Sequence, residues 1–89
     1  MQMAEQLIPG EGIEIHLNIN SVVLRMMPHP PDSRLILARG STMRDLLDRI
    51  GLGLRSSRLL VSINDRVADQ ATPLAEGDSV AIRPILGGG

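Results

Sequence analysis

Apolar and polar residues alternate along the first regular stretch of the chain. Apolar side chains occupy every second position from Ile13 to Ile19, with polar side chains between them. A period of two is typical of a strand with one buried face. From Val22 to Met26 the alternation shifts to even-numbered positions. Because one flat strand cannot change its buried face, the pattern predicts a bulge or turn at Asn20-Ser21, with strand on both sides.

A proline-rich segment separates this region from the next alternation. Pro28, Pro30 and Pro31 fall within six residues that end with Asp32 and Ser33, a composition typical of a loop. Period-two spacing resumes within residues 34–39, where the leucines stand two positions apart. This arrangement predicts the returning strand of a hairpin.

One stretch has the period of a helix. Its apolar residues have the spacing i, i+3, i+4 and i+7, and they are Met43, Leu46, Leu47 and Ile50. Thr42 is the expected N-cap, and Asp45 stands three residues later, close to the pattern of a capping box. Gly51 follows the last apolar position, so the helix is predicted to end there.

The remaining segments predict short strands joined by tight turns. Residues 59–63 alternate toward a turn at Asn64-Asp65, and Val67 forms a short strand or bridge. A second turn is predicted at residues 75–78, with Gly77 at positive φ. Residues 80–82 form the last strand, which we expect centrally beside the first because both carry dense apolar alternation.

This order of elements favours an α+β fold. A helix with one apolar stripe buries it against one face of a sheet. We therefore predict a β-grasp (ubiquitin-like) arrangement, with a mixed sheet of four to five strands packed on one main helix.

Composition narrows the function classes. The 89 residues suit one domain, and a net charge of −1 indicates neither nucleic acid nor a membrane surface as partner. Aromatic residues are absent, so the chain has no stacking platform for single-stranded nucleic acid. It contains no cysteine and no lysine, which excludes disulfides, thiolate metal sites, thiol nucleophiles and Schiff-base chemistry. With no apolar run of membrane-spanning length and no signal-peptide pattern, we expect a cytoplasmic protein.

Titratable residues form no recognisable metal or acid–base motif. His16 and His29 are too few and too scattered for a ligand set, and both are expected in solvent. Asp65, Asp69 and Asp78 lie in or near predicted turns, and turn formation explains them better than general-base chemistry.

The sequence closes with Ile85, Leu86 and three glycines, Gly87, Gly88 and Gly89. Glycine has no Cβ, so such a segment can enter a slot too narrow for other residues. Five extended residues reach about 17 Å, and a terminal carboxyl group is anionic at neutral pH. The pattern predicts a thin arm with a carboxylate at its tip, while a frayed terminus is the alternative.

Several segments in a fixed order resemble one protein family. They are residues 22–28 (VVLRMMP), 40–47 (GSTMRDLL), 61–67 (VSINDRV), 72–80 (TPLAEGDSV) and 84–89 (PILGGG). Together they resemble the ThiS/MoaD family of ubiquitin-like sulfur carriers, the small proteins of thiamine and molybdopterin biosynthesis. The pattern Leu-x-x-Gly-Asp-x-Val with a terminal Gly-Gly is its most specific part. The resemblance covers residues 21–89, which leaves residues 1–20 as an N-terminal extension that could carry an extra strand.

The resemblance implies a carrier protein and not an enzyme, with a small subunit of an enzyme complex as the alternative. A ubiquitin-activating-type adenylyltransferase would transfer AMP from ATP to the carboxylate of Gly89, with ATP and metal held by that partner. A sulfur donor would then form a thiocarboxylate, and a downstream synthase would receive the sulfur. Gly87 and Gly88 would thread the tail into the partner. No cofactor bound to this chain is implied.

A partner-binding surface is expected beside the tail. Arg25 and Arg83 are predicted in the solvent-facing phase of two neighbouring strands, on the face opposite the helix. Ile85 and Leu86 lead into the tail beside that face, and exposed aliphatic residues there favour coverage by a partner. In the alternative interpretation, these two residues cap the core. The free protein is expected to be a monomer.

Two other functions use the same fold. One is a ubiquitin-like protein modifier that forms isopeptide bonds through Gly89, and the other is a β-grasp interaction module whose glycines have no role. Without lysine the chain cannot form lysine-linked chains of itself. The receiving pathway stays open among thiamine, molybdopterin, cysteine and tRNA thiolation.

Overall fold

The computed structural model describes residues 12–85. Its elements in chain order are β1 (Gly12–Ile19), α1 (Ser21–Arg25), β2 (Arg34–Ala38), α2 (Met43–Arg49), a 3₁₀ helix (Gly53–Arg58), β3 (Leu59–Ile63), β4 (Arg66–Val67) and β5 (Ser79–Pro84).

The strands form one mixed sheet in the order β2-β1-β5-β3-β4. β1 pairs antiparallel with β2, which confirms the predicted hairpin strands. β5 lies in the middle of the sheet, parallel to β1 on one side and antiparallel to β3 on the other. The prediction of a central last strand beside the first is therefore confirmed, as is the β-grasp fold class.

The core lies between one face of the sheet and the two α-helices. Buried side chains from β1, β3 and β5 form one cluster with those of α1 and α2. On α2 the buried members are Met43, Leu46 and Leu47, while Ile50 is partly buried at the helix end. The predicted apolar stripe is therefore the face that α2 turns to the sheet.

Local signals fix the ends of α2. The backbone N–H of Asp45 donates to Oγ1 of Thr42 over 3.3 Å, and the N–H of Thr42 donates to Oδ2 of Asp45 over 2.8 Å. This reciprocal pair is the capping box that the sequence predicts, formed with Asp in the place usual for Glu. Gly51 follows the helix with φ +86°, a value that L side chains rarely adopt.

The two predicted turns are also present. Asn64 and Asp65 have φ +51° and +70°, so both central residues of the β3–β4 hairpin are left-handed, as in a type I′ turn. Gly77 has φ +84° in the turn before β5. Val67 lies in the two-residue strand β4, as the prediction of a short strand or bridge allows.

The prediction of strand on both sides of Asn20-Ser21 is wrong, because α1 begins there. Oδ1 of Asn20 accepts a hydrogen bond of 2.8 Å from the N–H of Val22, which caps the helix. Val23 and Met27 are buried four residues apart, whereas Val22 and Met26 are exposed. Five of the six residues from Val22 to Met27 are apolar, so a helical and a two-residue period fit the same segment.

The first strand is an integral part of the sheet. Residues 1–20 were predicted as an N-terminal extension that could carry an extra strand, and residues 12–19 of it form β1, which lies between β2 and β5. Ile13 and Ile15 are fully buried in the core. The boundary predicted at residue 21 therefore falls between β1 and α1, inside the packed unit.

Candidate functional site

Strand β5 leads to the predicted tail from the middle of the sheet. Val80 and Ile82 are fully buried and hold the strand between β1 and β3. One residue past the strand, the N–H of Ile85 still donates to the carbonyl oxygen of Arg58 over 3.0 Å. The chain is therefore held by backbone hydrogen bonds up to Ile85.

The predicted reactive segment lies outside the described residues. This concerns Leu86, which was predicted to bind a partner, and Gly87, Gly88 and Gly89, which were predicted to thread and carry the reactive carboxylate. What the structure provides is the position from which that segment starts. Ile85 is about half exposed, and the last fully buried residue before it in the sequence is Ile82.

Arg83 lies on the sheet face opposite the helices. It is exposed and pairs across the strands with Leu60 of β3, which is also exposed. The position of Arg83 is the solvent-facing one that the alternation predicts, because the preceding residue of β5, Ile82, is buried and successive side chains of a strand point to opposite faces.

Arg25 does not share that sheet face. It is the last residue of helix α1 and is exposed there, so its predicted position on a strand next to Arg83 is wrong. The helix itself lies beside the end of β5, where the N–H of Asn20 donates to the carbonyl oxygen of Ile82 over 2.9 Å. The two arginines therefore belong to different layers of the molecule, near the same end of β5.

A groove opens between α1 and the 3₁₀ helix, next to the end of β5. Its volume is about 890 Å³, and its lining consists of Val22, Met26, Leu54, Arg55, Ser57, Arg58, Leu59, Pro84 and Ile85. The guanidinium of Arg55 spans from one wall to the other, donating from Nη1 to the carbonyl oxygen of Met26 over 3.3 Å. We call this cleft the α1–3₁₀ groove.

Sequence reasoning missed most of the groove residues. Val22 and Met26 were assigned to the buried phase of a strand, and no role was given to Leu54. The available signal was the position of Leu54 between Gly53 and Arg55, outside any alternating or helical pattern. Such an isolated apolar residue cannot be told from an ordinary surface leucine without the fold.

Polar side chains elsewhere have structural roles. Oδ1 of Asp69 accepts from the N–H of Ala71 over 2.9 Å, and Oδ2 of Asp78 accepts from the N–H of Ala75 over 2.8 Å. These short-range contacts stabilise turns, as predicted. Among residues 12–85, no three His, Asp or Glu side chains come close enough together to hold a metal ion. His16 and His29 are both exposed.

No helix within residues 12–85 has the length and apolar character needed to cross a membrane.

Solved structures with the same fold include small modifier proteins. SAMP1 from Haloferax volcanii is 18% identical, with a TM-score of 0.63, over 85% of this chain and 99% of that chain. A second structure of H. volcanii small archaeal modifier protein 1 is 16% identical, with a TM-score of 0.63, over 83% of this chain and 99% of that one. The Arabidopsis thaliana protein At2g32350 is 15% identical, with a TM-score of 0.56, over 83% of this chain and 87% of that chain. At these identities the likeness shows the fold.

The sequence itself gives the family. A search of the curated proteins finds no significant match to this chain. The model of the ThiS family, however, matches residues 22–89, which is well over half of the chain and includes both β5 and the three final glycines. Family and fold together support a small carrier of the ubiquitin-like kind. The chain belongs to the ThiS family.

Proposed function

We propose that this protein is a sulfur carrier whose reactive group is the carboxylate of Gly89. The observation that carries the proposal is the family match, which continues through the glycine segment to residue 89. The central position of β5 supports it, because a strand with neighbours on both sides gives the tail a fixed starting point. Ile85 is the last described residue before the segment that would enter a partner.

The proposed chemistry has two steps. A carboxylate oxygen of Gly89 attacks the α-phosphorus of ATP, so that pyrophosphate leaves and an acyl-adenylate forms. A hydrosulfide equivalent from a sulfur donor then attacks the acyl carbon and AMP leaves, which gives the thiocarboxylate. Adenylation is needed first because a carboxylate is a poor electrophile and AMP is a far better leaving group than oxide.

In this proposal the activating enzyme and this chain contribute different parts of the reaction. A ubiquitin-activating-type enzyme would bind ATP and its metal and stabilise the charge that develops at phosphorus. This chain would supply reach, a narrow backbone and a recognition surface, and so acts as a protein substrate. We place Arg83, Ile85 and Leu86 in the surface that such partners contact, with Arg25 at the neighbouring end of α1. Delivery of the sulfur would serve molybdopterin, thiamine or another thiolation pathway.

A second candidate function is a ubiquitin-like modifier conjugated through Gly89. It is supported by the fold likeness to SAMP1, a small archaeal modifier protein. In that case the same acyl-adenylate would react with an amine of another protein, not with sulfur. Because this chain has no lysine, its own side chains offer no amine acceptor.

The intact mass of the protein distinguishes the two functions. The purified chain is incubated with ATP, its cognate activating enzyme and a sulfide source, with and without an amine-bearing acceptor protein. A sulfur carrier gains the mass difference between sulfur and oxygen, whereas a modifier appears as an adduct of the acceptor that has lost one water. If the enzyme binds the chain but neither product forms, both functions are contradicted.

A further inference from the structure

Exposed apolar side chains are concentrated around the α1–3₁₀ groove. The large apolar residues exposed within the described chain are Val22, Met26, Ile36, Leu54, Leu60, Val67 and Ile85. Four of these seven line this one groove, namely Val22, Met26, Leu54 and Ile85. Scattered surface leucines need no explanation, but an apolar cluster around a cleft is typical of an interaction site.

The 3₁₀ helix contributes little to the core of its own chain. None of its residues from Gly53 to Arg58 is buried, and Leu54 is fully exposed at 102%. Folding gains nothing from a leucine in that position, since the hydrophobic effect acts only on surface removed from water. A partner that covers Leu54 would recover that gain.

The groove is also positively charged. Arg55 and Arg58 line it, and no Asp or Glu does. Within residues 12–85, neither of these arginines forms an ion pair with a carboxylate, while Arg34 and Arg44 do. Arg25 lies three residues after Val22 on α1, so it projects near the same side of that helix. The local charge is thus opposite in sign to the net charge of the whole chain, which is −1.

The groove adjoins the start of the tail. Ile85 lines the groove and immediately precedes Leu86 to Gly89. Four extended residues reach about 14 Å, so an enzyme that holds the carboxylate of Gly89 must have its surface close to the groove. Because the groove is this close to the tail, we expect its occupant to be part of a protein that binds the tail.

We propose that the α1–3₁₀ groove is a docking site for an acidic segment of the activating enzyme. That segment would place an apolar side chain against Leu54 and Met26, flanked by carboxylates that pair with Arg55 and Arg58. Paired guanidinium and carboxylate groups give orientation and association rate, while the apolar contact gives most of the affinity. This inference rests on the proposed function, because it names the surface through which the same enzyme would recognise the chain.

Paired variants test the groove without altering the tail. Leu54→Asp and Arg58→Glu change exposed side chains of the groove, and Val67→Asp and Arg66→Glu make the same changes on the exposed strand β4. The Kd for the cognate activating enzyme is measured by calorimetry without ATP, so that binding is read apart from chemistry. We expect each groove variant to weaken binding about tenfold or more, the size typical of a central interface residue, and each control to stay within about twofold.

Salt dependence provides a second readout. Binding of the parent should weaken as ionic strength rises, and Arg58→Glu should reduce that dependence because one charge pair is lost. Melting curves of all four variants verify that each is folded, and sedimentation verifies that each stays in the parent's oligomeric state. A groove variant that acts by changing self-association would contradict the proposed occupant.

Failure of this inference can be told apart from failure of the proposed function. If groove and control variants bind equally well and the parent still acquires sulfur, the docking site lies elsewhere while the carrier function stands. If the parent neither binds the enzyme nor acquires sulfur, the proposed function fails and this inference with it.

Discussion

The N–H of Ile85 donates a hydrogen bond of 3.0 Å to the carbonyl oxygen of Arg58. This single backbone contact joins the residue before the tail to the last residue of the 3₁₀ helix. It continues the pairing of β5 with β3 by one residue beyond Leu59 and Pro84. Ile85, from which the tail starts, is therefore tied to the wall of the groove, and a partner that holds the tail should contact that wall.

Replacing Leu47 with alanine should strongly destabilise the protein. Leu47 is 1% exposed in the stripe that α2 packs on the sheet, so its loss removes buried area and leaves a cavity. We expect the free energy of unfolding to fall by about 2–5 kcal/mol in urea melts.

Arg44→Ala is the control on the same helix. Arg44 is exposed, and its ion pair with Asp48 at 3.4 Å is also exposed to solvent. Exposed pairs of this kind contribute little, so the expected change is about 0.5 kcal/mol or less. Equal losses for the two variants would mean that the stripe is not the buried face.

Removing the cap of α1 should loosen one wall of the groove. Asn20→Ala deletes the side-chain oxygen that accepts from the N–H of Val22, and such caps are worth about 1 kcal/mol. Asn20→Ser keeps an acceptor and should retain most of the stability. Asn18→Ala, on the exposed phase of β1, is the control and should melt like the parent. An Asn20→Ala protein as stable as the parent would show that the cap contributes nothing.

Substitutions of Gly77 test whether the turn before β5 needs a residue that tolerates positive φ, since a side chain there would meet no steric obstacle. Its φ is +84°, and a Cβ added there would meet nothing within 4 Å. Gly77→Ala should therefore cost only the strain of a left-handed alanine, about 1–2 kcal/mol, measured by urea denaturation. Gly77→Asn should lose less, because asparagine tolerates this conformation better. Identical stabilities of the alanine variant and the parent would indicate that the turn adopts another conformation.

Elements with a local signal could be predicted from the sequence. Helix α2 combines an unambiguous apolar stripe with the capping box of Thr42 and Asp45, and both are present. The turn at Asn64 and Asp65 and the positive φ of Gly77 follow from residue types that adopt such conformations at low cost. In each case a few neighbouring residues carry the whole signal.

Features that depend on tertiary context could not be predicted. The apolar run around Val23 fits strand and helix alike, and what decides is the contact of its buried side with the core. The groove requires α1, the 3₁₀ helix and the end of β5 to meet, and their residues are far apart in sequence. The proposed reactive carboxylate was identified through the family resemblance, and the structure adds where its segment starts.

Shortening or widening the tail should abolish activation without affecting the fold. Deleting Gly89 leaves a carboxylate on Gly88, about 3.5 Å short of the phosphorus. Reacting atoms must approach to about 3–3.5 Å, so nearly all turnover should be lost. Gly88→Val should fail for a different reason, because a β-branched side chain blocks a slot made for glycine and disfavours positive φ. The core is formed by residues of the described part of the chain, 12–85, so both variants should melt like the parent.

Alkylation gives a direct readout of the sulfur. After incubation with ATP, the cognate activating enzyme and a sulfide source, iodoacetamide at neutral pH should label the parent at Gly89. The untreated protein should stay unlabelled, because the chain contains no cysteine or other thiol. The two tail variants should remain unlabelled under the same conditions, since neither can form the acyl-adenylate. A protein without Gly89 that acquires alkylatable sulfur at the parent's rate would place the sulfur elsewhere, and the carrier function proposed for this carboxylate would be wrong.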